Sequence, residues 1–160
     1  MSWIPVLATV VGAVVGLGSG LVVDQVRSGR DASAKALAVR RDAYVGYLSA
    51  LHEANEAMRA VSLGEHAQEL PRLAAARAAF RTASVTMTRE QLILLAPEPV
   101  ILAADDAFCS LRALRDRIGQ GESLTDYEPV LEDYASHLHA LRDATRRDLG
   151  VQGNIPDIPL

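Results

Sequence analysis

The residues best placed to bind a metal in this 160-residue chain are its four histidines and the acids near them. A di-iron site in a helical bundle needs Glu-x-x-His pairs on two helices. Here the order is reversed, because His52 precedes Glu53 and Glu56, and His66 precedes Glu69 in the same way. A zincin motif, His-Glu-x-x-His, is missing too, since Glu56 occupies the place of the second histidine. We therefore predict no metal site and no cofactor.

A cysteine and two pairs of acids could also do chemistry, as a nucleophile or as an acid and its base. The pairs are Asp105–Asp106 and Glu132–Asp133, and adjacent residues on a helix point about 100° apart, so neither pair can share one site. Cys109 lies off the Ala107–Leu111 seam and has no neighbouring base or cation in the sequence to activate its thiol, so we predict that it is a small apolar filler and not a nucleophile. The chain is therefore predicted not to be an enzyme.

Charge is distributed unevenly along the chain. Acidic residues outnumber Lys and Arg by 20 to 16, which gives a net charge of −4. A nucleic-acid binder needs clustered basic charge to displace counterions, so we predict no nucleic-acid partner. None of the charged residues lies between Ser2 and Val23, and the N-terminal stretch is therefore a separate, apolar part of the protein.

The stretch Trp3–Val23 has the length and composition of a transmembrane helix. At about 1.5 Å per residue it would span roughly 30 Å, the thickness of a bilayer core. Trp3 suits the headgroup level, and Pro5 falls in the first turn, where its missing N–H is harmless. A cleavable signal peptide, which would have Lys or Arg before a shorter apolar run, and a buried core helix are the alternatives.

Small residues recur at every fourth position of the predicted span, as Ala8, Gly12, Gly16 and Gly20. On a helix these residues share one face, along which a second helix backbone can approach closely. We therefore predict that the protein forms a homo-oligomer through this face. The same glycines do not form a dinucleotide-binding loop, because Leu21 stands where the third glycine of Gly-x-Gly-x-x-Gly belongs.

Basic residues follow the predicted span, whereas no cationic side chain precedes it. They are Arg27, Arg30, Lys35, Arg40 and Arg41. The positive-inside rule places the C-terminal domain of such a single-pass protein of the cell membrane in the cytoplasm. Each Arg near an anionic lipid surface contributes about 1 kcal/mol, so these five residues are predicted to contact the lipid bilayer.

The rest of the chain is predicted to be helical, because apolar residues recur at intervals of three and four. The predicted helices are Asp31–Gly64, Pro71–Leu95, a third from Pro99 to Ile118 that Gly119–Gly121 stops, and Thr125–Leu149. Their apolar seams are, in order, Leu37, Tyr44, Leu48, Leu51, Asn55, Met58 and Ser62; Leu73, Ala76, Phe80, Ala83, Met87 and Leu94; Val100, Ala104, Ala107, Leu111, Leu114 and Ile118; and Val130 or Leu131, Tyr134, Leu138, Leu141 and Thr145. Thr125 and Glu128 match a capping box.

Short connections between four helices force neighbours to run antiparallel. The predicted fold is therefore all-α, with an N-terminal transmembrane helix followed by an antiparallel four-helix bundle with a coiled-coil-like seam. We divide the chain into an anchor at residues 1–26, a basic juxtamembrane segment at 27–36, the bundle at 37–150, and an extended tail at 151–160.

A glycine-rich span followed by the juxtamembrane stretch Ala38–Leu48 and a helical domain resembles a large, loosely related set of small bacterial membrane proteins of uncharacterised function. The likeness covers roughly residues 3–60 and implies no catalytic residue.

Together these features predict a membrane-anchored interaction or scaffolding protein that self-associates through its span. The alternative is a membrane-tethered sensor or regulator whose bundle binds a small apolar or peptide ligand between its helices. A secreted bundle, released by signal cleavage, is a third class.

Overall fold

In the computed structural model of the protein, the backbone is described for residues 4–65 and 70–153, and the side chains for residues 33–65 and 70–153 except residue 124. All regular secondary structure in these ranges is helical, which confirms the all-α prediction. The helices are α1 (Ile4–Ser62), α2 (Arg72–Thr82), α3 (Val85–Leu95), α4 (Glu98–Gln120) and α5 (Leu124–Asp148).

The chain divides into two compact units, Met1–Ala38 and Val39–Leu160. The second unit is a helical bundle, as predicted. Within residues 33–65 and 70–153, no helical stretch is long and apolar enough to cross a bilayer. The side chains of Trp3–Val23, with the face Ala8, Gly12, Gly16 and Gly20, lie outside the described residues, so the span stays a prediction. The tail is likewise outside them from residue 154 onward.

The core of the bundle follows the predicted seam most closely in α4. All six of its seam residues are buried, because apolar side chains of the neighbouring helices pack around α4 on several sides. In α1 the seam residues Tyr44, Leu51 and Met58 are fully buried. Leu37, by contrast, is 41% exposed. It precedes Val39, where the bundle unit begins, and its predicted place in the core is wrong for that reason.

The predicted helix Pro71–Leu95 is broken into α2 and α3. Ser84 adopts the left-handed conformation, with a φ of 57°, and a new helix begins at Val85. One left-handed residue ends an α-helix and resets the angular position of every side chain after it. The seam therefore continues through Val85 and Leu92, which are buried.

Two seam residues predicted for a continuous helix are wrong in consequence. Met87 is 65% exposed and Leu94 is 83% exposed. Both lie where an unbroken 3.6-residue period would have placed core residues, and the break turns them outward.

Pairs of contacts fix the direction of the helices. Between α1 and α5, the hydroxyl of Tyr44 donates a hydrogen bond to Asp148, and the hydroxyl of Tyr134 donates one to the backbone oxygen of Leu51. Residue numbers rise along α1 as they fall along α5, so the two helices run antiparallel. Between α2 and α4, Leu73 meets Gly119 and the ring of Phe80 meets the ring of Phe108, which again gives antiparallel neighbours. In both of these pairs, packed helices therefore run in opposite directions.

Glycine has two different uses at the end of α4. Gly119 lies inside the helix, where a Cβ would come within 2.5 Å of Cδ1 of Leu73, so its missing side chain lets α2 approach closely. Gly121 ends the helix with a φ of 83°, in the left-handed region that glycine tolerates best. Within the predicted stop Gly119–Gly121 it is therefore Gly121 that ends the helix, and α4 runs two residues beyond the predicted last residue, Ile118.

The start of α5 is capped two residues earlier than predicted. The carboxylate of Asp126 accepts hydrogen bonds from the backbone N–H of Ser123 at 3.1 Å and from its hydroxyl at 2.5 Å. These hydrogen bonds lower the pKa of Asp126. The box is Ser123–Asp126 and not Thr125–Glu128, because the connection after Gly121 is only two residues long and the helix starts at once.

Candidate functional site

The two ends of the bundle differ in how their polar groups are satisfied. We call the end that contains Arg40, Tyr44 and Asp148 the closed end. The opposite end, around Asn55 and Tyr127, contains a cavity, and we call it the open end. The candidate site is at the open end.

At the closed end, polar side chains bond to one another. The hydroxyl of Tyr44 donates to Oδ2 of Asp148 at 2.6 Å, and Nη1 of Arg40 donates to Oδ1 of the same carboxylate at 3.1 Å. Burial, and then the hydrogen bond to Asp148, raise the pKa of Tyr44. This ion pair and hydroxyl join α1 to the last turn of α5, which is a structural role.

Two further tyrosines are satisfied inside the bundle. The hydroxyl of Tyr47 donates to the backbone oxygen of Ala104 at 2.9 Å, and the hydroxyl of Tyr134 donates to that of Leu51 at 3.3 Å. Both side chains are fully buried, and burial raises the pKa of each. Neither group is available to a ligand.

The open end contains a cavity of about 420 Å³ between α1, α2, α4 and α5. It is lined by Asn55, Arg59, Ser62, Leu63, Arg72, Leu114, Ile118, Gly121, Glu122, Ser123, Tyr127 and Leu131. Ligand sites in proteins begin at roughly 300 Å³ and are mostly apolar with a few polar groups. The size and the lining both match a site for a small molecule.

Apolar side chains from two helices form one wall of the cavity. Leu114 and Ile118 come from the buried seam of α4, and Leu131 comes from α5, where it packs against the core. The register of α4 that buries its seam thus also places apolar carbon atoms against the open space. An apolar ligand group would remove this wall from water at about 25 cal/mol per Å².

Two polar side chains of the cavity are more than nine-tenths buried and have no hydrogen-bond partner among the described residues. Asn55 is 9% exposed and Tyr127 is 6% exposed. Asn55 lies in the core seam of α1, one turn beyond Leu51, and Tyr127 lies in the first turn of α5. The polar atoms of both side chains are not fully enclosed, so they can bond a ligand or water in the cavity.

Charged side chains surround the same space. Nη2 of Arg72 donates to the backbone oxygen of Ser62 at 3.1 Å, and Oε1 of Glu122 accepts from Arg117 at 2.9 Å. The remaining atoms, Nε of Arg72 and Oε2 of Glu122, are buried without a partner. Arg59 is in no ion pair with a described residue.

The residues predicted to contact a membrane surface are placed individually. Arg40 pairs with Asp148, Arg41 pairs with Asp42 at 3.0 Å, and Lys35 is exposed. The side chains of Arg27 and Arg30 lie outside the described residues. Because Arg40 is already paired, it is the least available of the three described residues to a lipid headgroup.

The residues considered for chemistry do not come together. Cys109 is exposed, off the seam formed by the buried Ala107 and Leu111 of α4, so it does not act as the predicted apolar filler. His139 lies 3.6 Å from Asp143 as a surface pair. No cluster of three metal-ligating side chains is found within the described ranges.

Asn55 belongs to the predicted seam of α1 without a predicted function, and Tyr127 belongs to no predicted seam or site. The available signal was the amide itself, since a polar residue at a core position of an apolar seam needs a partner. Comparisons with protein-family models, curated proteins and solved structures find no match to this chain. The resemblance to small bacterial membrane proteins therefore stays a prediction.

Proposed function

We propose that the protein is a membrane-anchored sensor or regulator whose helical bundle binds a small ligand in the open-end cavity. One observation carries the proposal, namely that Asn55 and Tyr127 line a cavity of ligand size and bond to no other described residue. Of the two functions that the sequence predicts, this observation favours the ligand-binding one over pure scaffolding.

The energetics support a ligand. A buried polar atom without a partner costs about 1–3 kcal/mol, and the open end holds two such atoms, Nε of Arg72 and Oε2 of Glu122, beside an apolar wall. A molecule with an apolar body and a polar head would bond the polar groups and cover the wall at once. Ordered water could bond the polar groups, but the apolar side chains of the wall would then stay in contact with water.

Binding would also connect helices that are distant in sequence. Asn55 belongs to α1 and Tyr127 to α5, while Arg72 begins α2. A ligand that contacts all three stabilises the open end, by about 2.7 kcal/mol at a concentration one hundred times its Kd. This gain in stability is the signal that a sensor would pass on.

The test compares two tryptophan variants of the full chain in lipid nanodiscs. Leu131→Trp places an indole in the cavity, whereas Leu102→Trp adds the same group at an exposed position outside it. A library of small apolar molecules is screened by ligand-observed NMR. We expect hits that bind the parent and Leu102→Trp but are lost in Leu131→Trp. No hits, or hits that Leu131→Trp leaves unchanged, would refute the proposal.

The anchor and its self-association form the second part of the proposal. They rest on the uncharged stretch Trp3–Val23 and on the small residues at every fourth position. Intact-mass analysis of the membrane fraction distinguishes the anchored protein, which keeps its N-terminus, from a secreted form that begins near residue 20. Recovery of the chain from the supernatant without detergent would contradict the anchor.

A matched pair of glycine variants tests the self-association. Gly16→Ile blocks the small-residue face, whereas Gly18→Ile adds the same side chain about 200° away on a helix. We expect chemical crosslinking in membranes to give oligomer bands for the parent and Gly18→Ile but not for Gly16→Ile. Equal bands for both variants would remove the oligomer without affecting the ligand proposal.

A further inference from the structure

We infer that the open-end cavity takes a small apolar molecule carrying both a carboxylate and an ammonium group, which is the chemistry of an apolar α-amino acid. This inference rests on the proposed function, because it names the ligand class of the same cavity.

The carboxylate is assigned from the arginines. Arg72 has one nitrogen bonded to Ser62, and its Nε is buried without an acceptor. Arg59 lines the same cavity and is in no ion pair with a described residue. A guanidinium binds a carboxylate through two parallel hydrogen bonds, so a carboxylate is the group that Arg72, with Arg59 beside it, fits best.

The ammonium is assigned from Glu122. One oxygen of its carboxylate accepts from Arg117, whereas Oε2 is buried and accepts from no described residue. A second anion would be repelled by this carboxylate, and a neutral apolar molecule would leave it unbonded. Only a ligand that donates from a cationic or polar group satisfies Glu122 and Arg72 together.

The remaining parts of the lining fit the rest of such a molecule. Tyr127 can donate from its hydroxyl, and the amide of Asn55 both donates and accepts. Leu114, Ile118 and Leu131 offer the apolar wall for the side chain. Because Nε of Arg72 and Oε2 of Glu122 are shielded from water, each gains a hydrogen bond when its side chain turns toward a ligand of opposite charge.

The experiment uses four probes that differ by one charged group at a time. They are L-phenylalanine, 3-phenylpropionate, 2-phenylethylamine and 2-phenylethanol. Binding to the full chain in lipid nanodiscs is measured by calorimetry, with empty nanodiscs as the control for partition into lipid. We expect L-phenylalanine to bind about tenfold or more tightly than each probe that lacks one charge, since a hydrogen bond to a charged group is worth at least one decade in Kd.

Two variants then assign the charges to residues. Arg72→Gln is expected to bind L-phenylalanine no more tightly than 2-phenylethylamine. Glu122→Gln is expected to bind L-phenylalanine no more tightly than 3-phenylpropionate. Arg81→Gln is the matched control, because this arginine is exposed on the same helix and lies outside the cavity. All variants are compared with the parent by circular dichroism, and the probe series on the parent chain stands even if a variant does not fold.

The outcomes separate this inference from the proposed function. Equal affinity for all four probes, or for L-phenylalanine and either singly charged probe, would overturn the assignment of a zwitterionic ligand. The cavity would then remain a binding site. If no probe binds and the general screen against Leu131→Trp also fails, the proposed function is wrong and the inference fails with it.

Discussion

The closed and open ends of one bundle treat the same kinds of side chain in opposite ways. At the closed end, Tyr44, Arg40 and Asp148 bond to one another. At the open end, Tyr127 and Asn55 are also buried but have no described partner. The clearest difference between the two ends is therefore the bonding of their polar side chains.

The difference shows where stability has been given up. A tyrosine or carboxylate that is bonded on burial contributes to folding, whereas one that is buried without a partner costs free energy until a ligand arrives. Active and binding sites are the usual places for such unsatisfied groups. The four predictions below test whether the two ends differ in this way.

The largest effect is expected at alkaline pH, because it acts on three bonded tyrosines together. Burial raises the pKa of Tyr44, Tyr47 and Tyr134, whereas in the unfolded chain these hydroxyls ionise near pH 10. Above about pH 10 the unfolded chain therefore binds fewer protons than the native protein, and the free energy of unfolding falls as pH rises. Urea titrations at pH 8, 10 and 11 measure this decline.

Tyr47→Phe supplies the control for the alkaline experiment. Removing one of the three hydroxyls should make the decline of stability with pH shallower. A decline as steep as that of the parent would show that other groups cause it.

The second prediction compares a carboxylate from each end. Asp148→Ala removes the acceptor of both Tyr44 and Arg40 and should cost about 2 kcal/mol, as expected for hydrogen bonds to a charged group. Glu122→Gln should change the free energy of unfolding by less than about 0.5 kcal/mol, because one of its oxygens has no partner to lose. Urea unfolding of the two variants gives both values, and similar costs would remove the distinction between the ends.

The third prediction is a gain in the free energy of unfolding, whereas the first two are losses. Asn55→Leu places an apolar side chain of similar volume at a buried seam position where the amide bonds to no described residue, so the variant should be more stable by about 1 kcal/mol. It should also lose ligand binding. The comparison variant is Ala54→Leu, a neighbouring fully buried position where added volume should destabilise. A loss of stability in Asn55→Leu would mean that the amide is bonded in solution.

The smallest effect distinguishes two tyrosines by one oxygen atom. Tyr47→Phe removes a hydroxyl that donates to Ala104 and should cost about 1 kcal/mol. Tyr127→Phe removes a hydroxyl with no described partner and should be neutral within about 0.3 kcal/mol. Thermal unfolding measured side by side resolves this difference, and an equal cost for both would place Tyr127 among the structural tyrosines.

The regular parts of the fold could be predicted because a helix repeats every 3.6 residues. The seam of α4 from Val100 to Ile118 is buried at each predicted position. The prediction failed where a single residue changes the backbone. Ser84 is a non-glycine residue at positive φ, and no local pattern in the sequence marks it, so Met87 and Leu94 were assigned to the wrong face.

The candidate site was predicted only in outline. A ligand between bundle helices was one of two functions considered, and the sequence indicated neither the end of the bundle nor the residues. Asn55, Arg72 and Tyr127 lie far apart in the chain, and each is unremarkable by itself. Only the folded structure brings them to one cavity.

The sequence by itself determined the helical class, most positions of the apolar seams and the separation of an uncharged N-terminus from a charged domain, because these depend on residue type and short-range periodicity. The tertiary structure decided which buried polar groups find partners, because a hydrogen bond depends on where a second helix places its atoms. That decision is what leaves the closed end bonded and the open end free for a ligand.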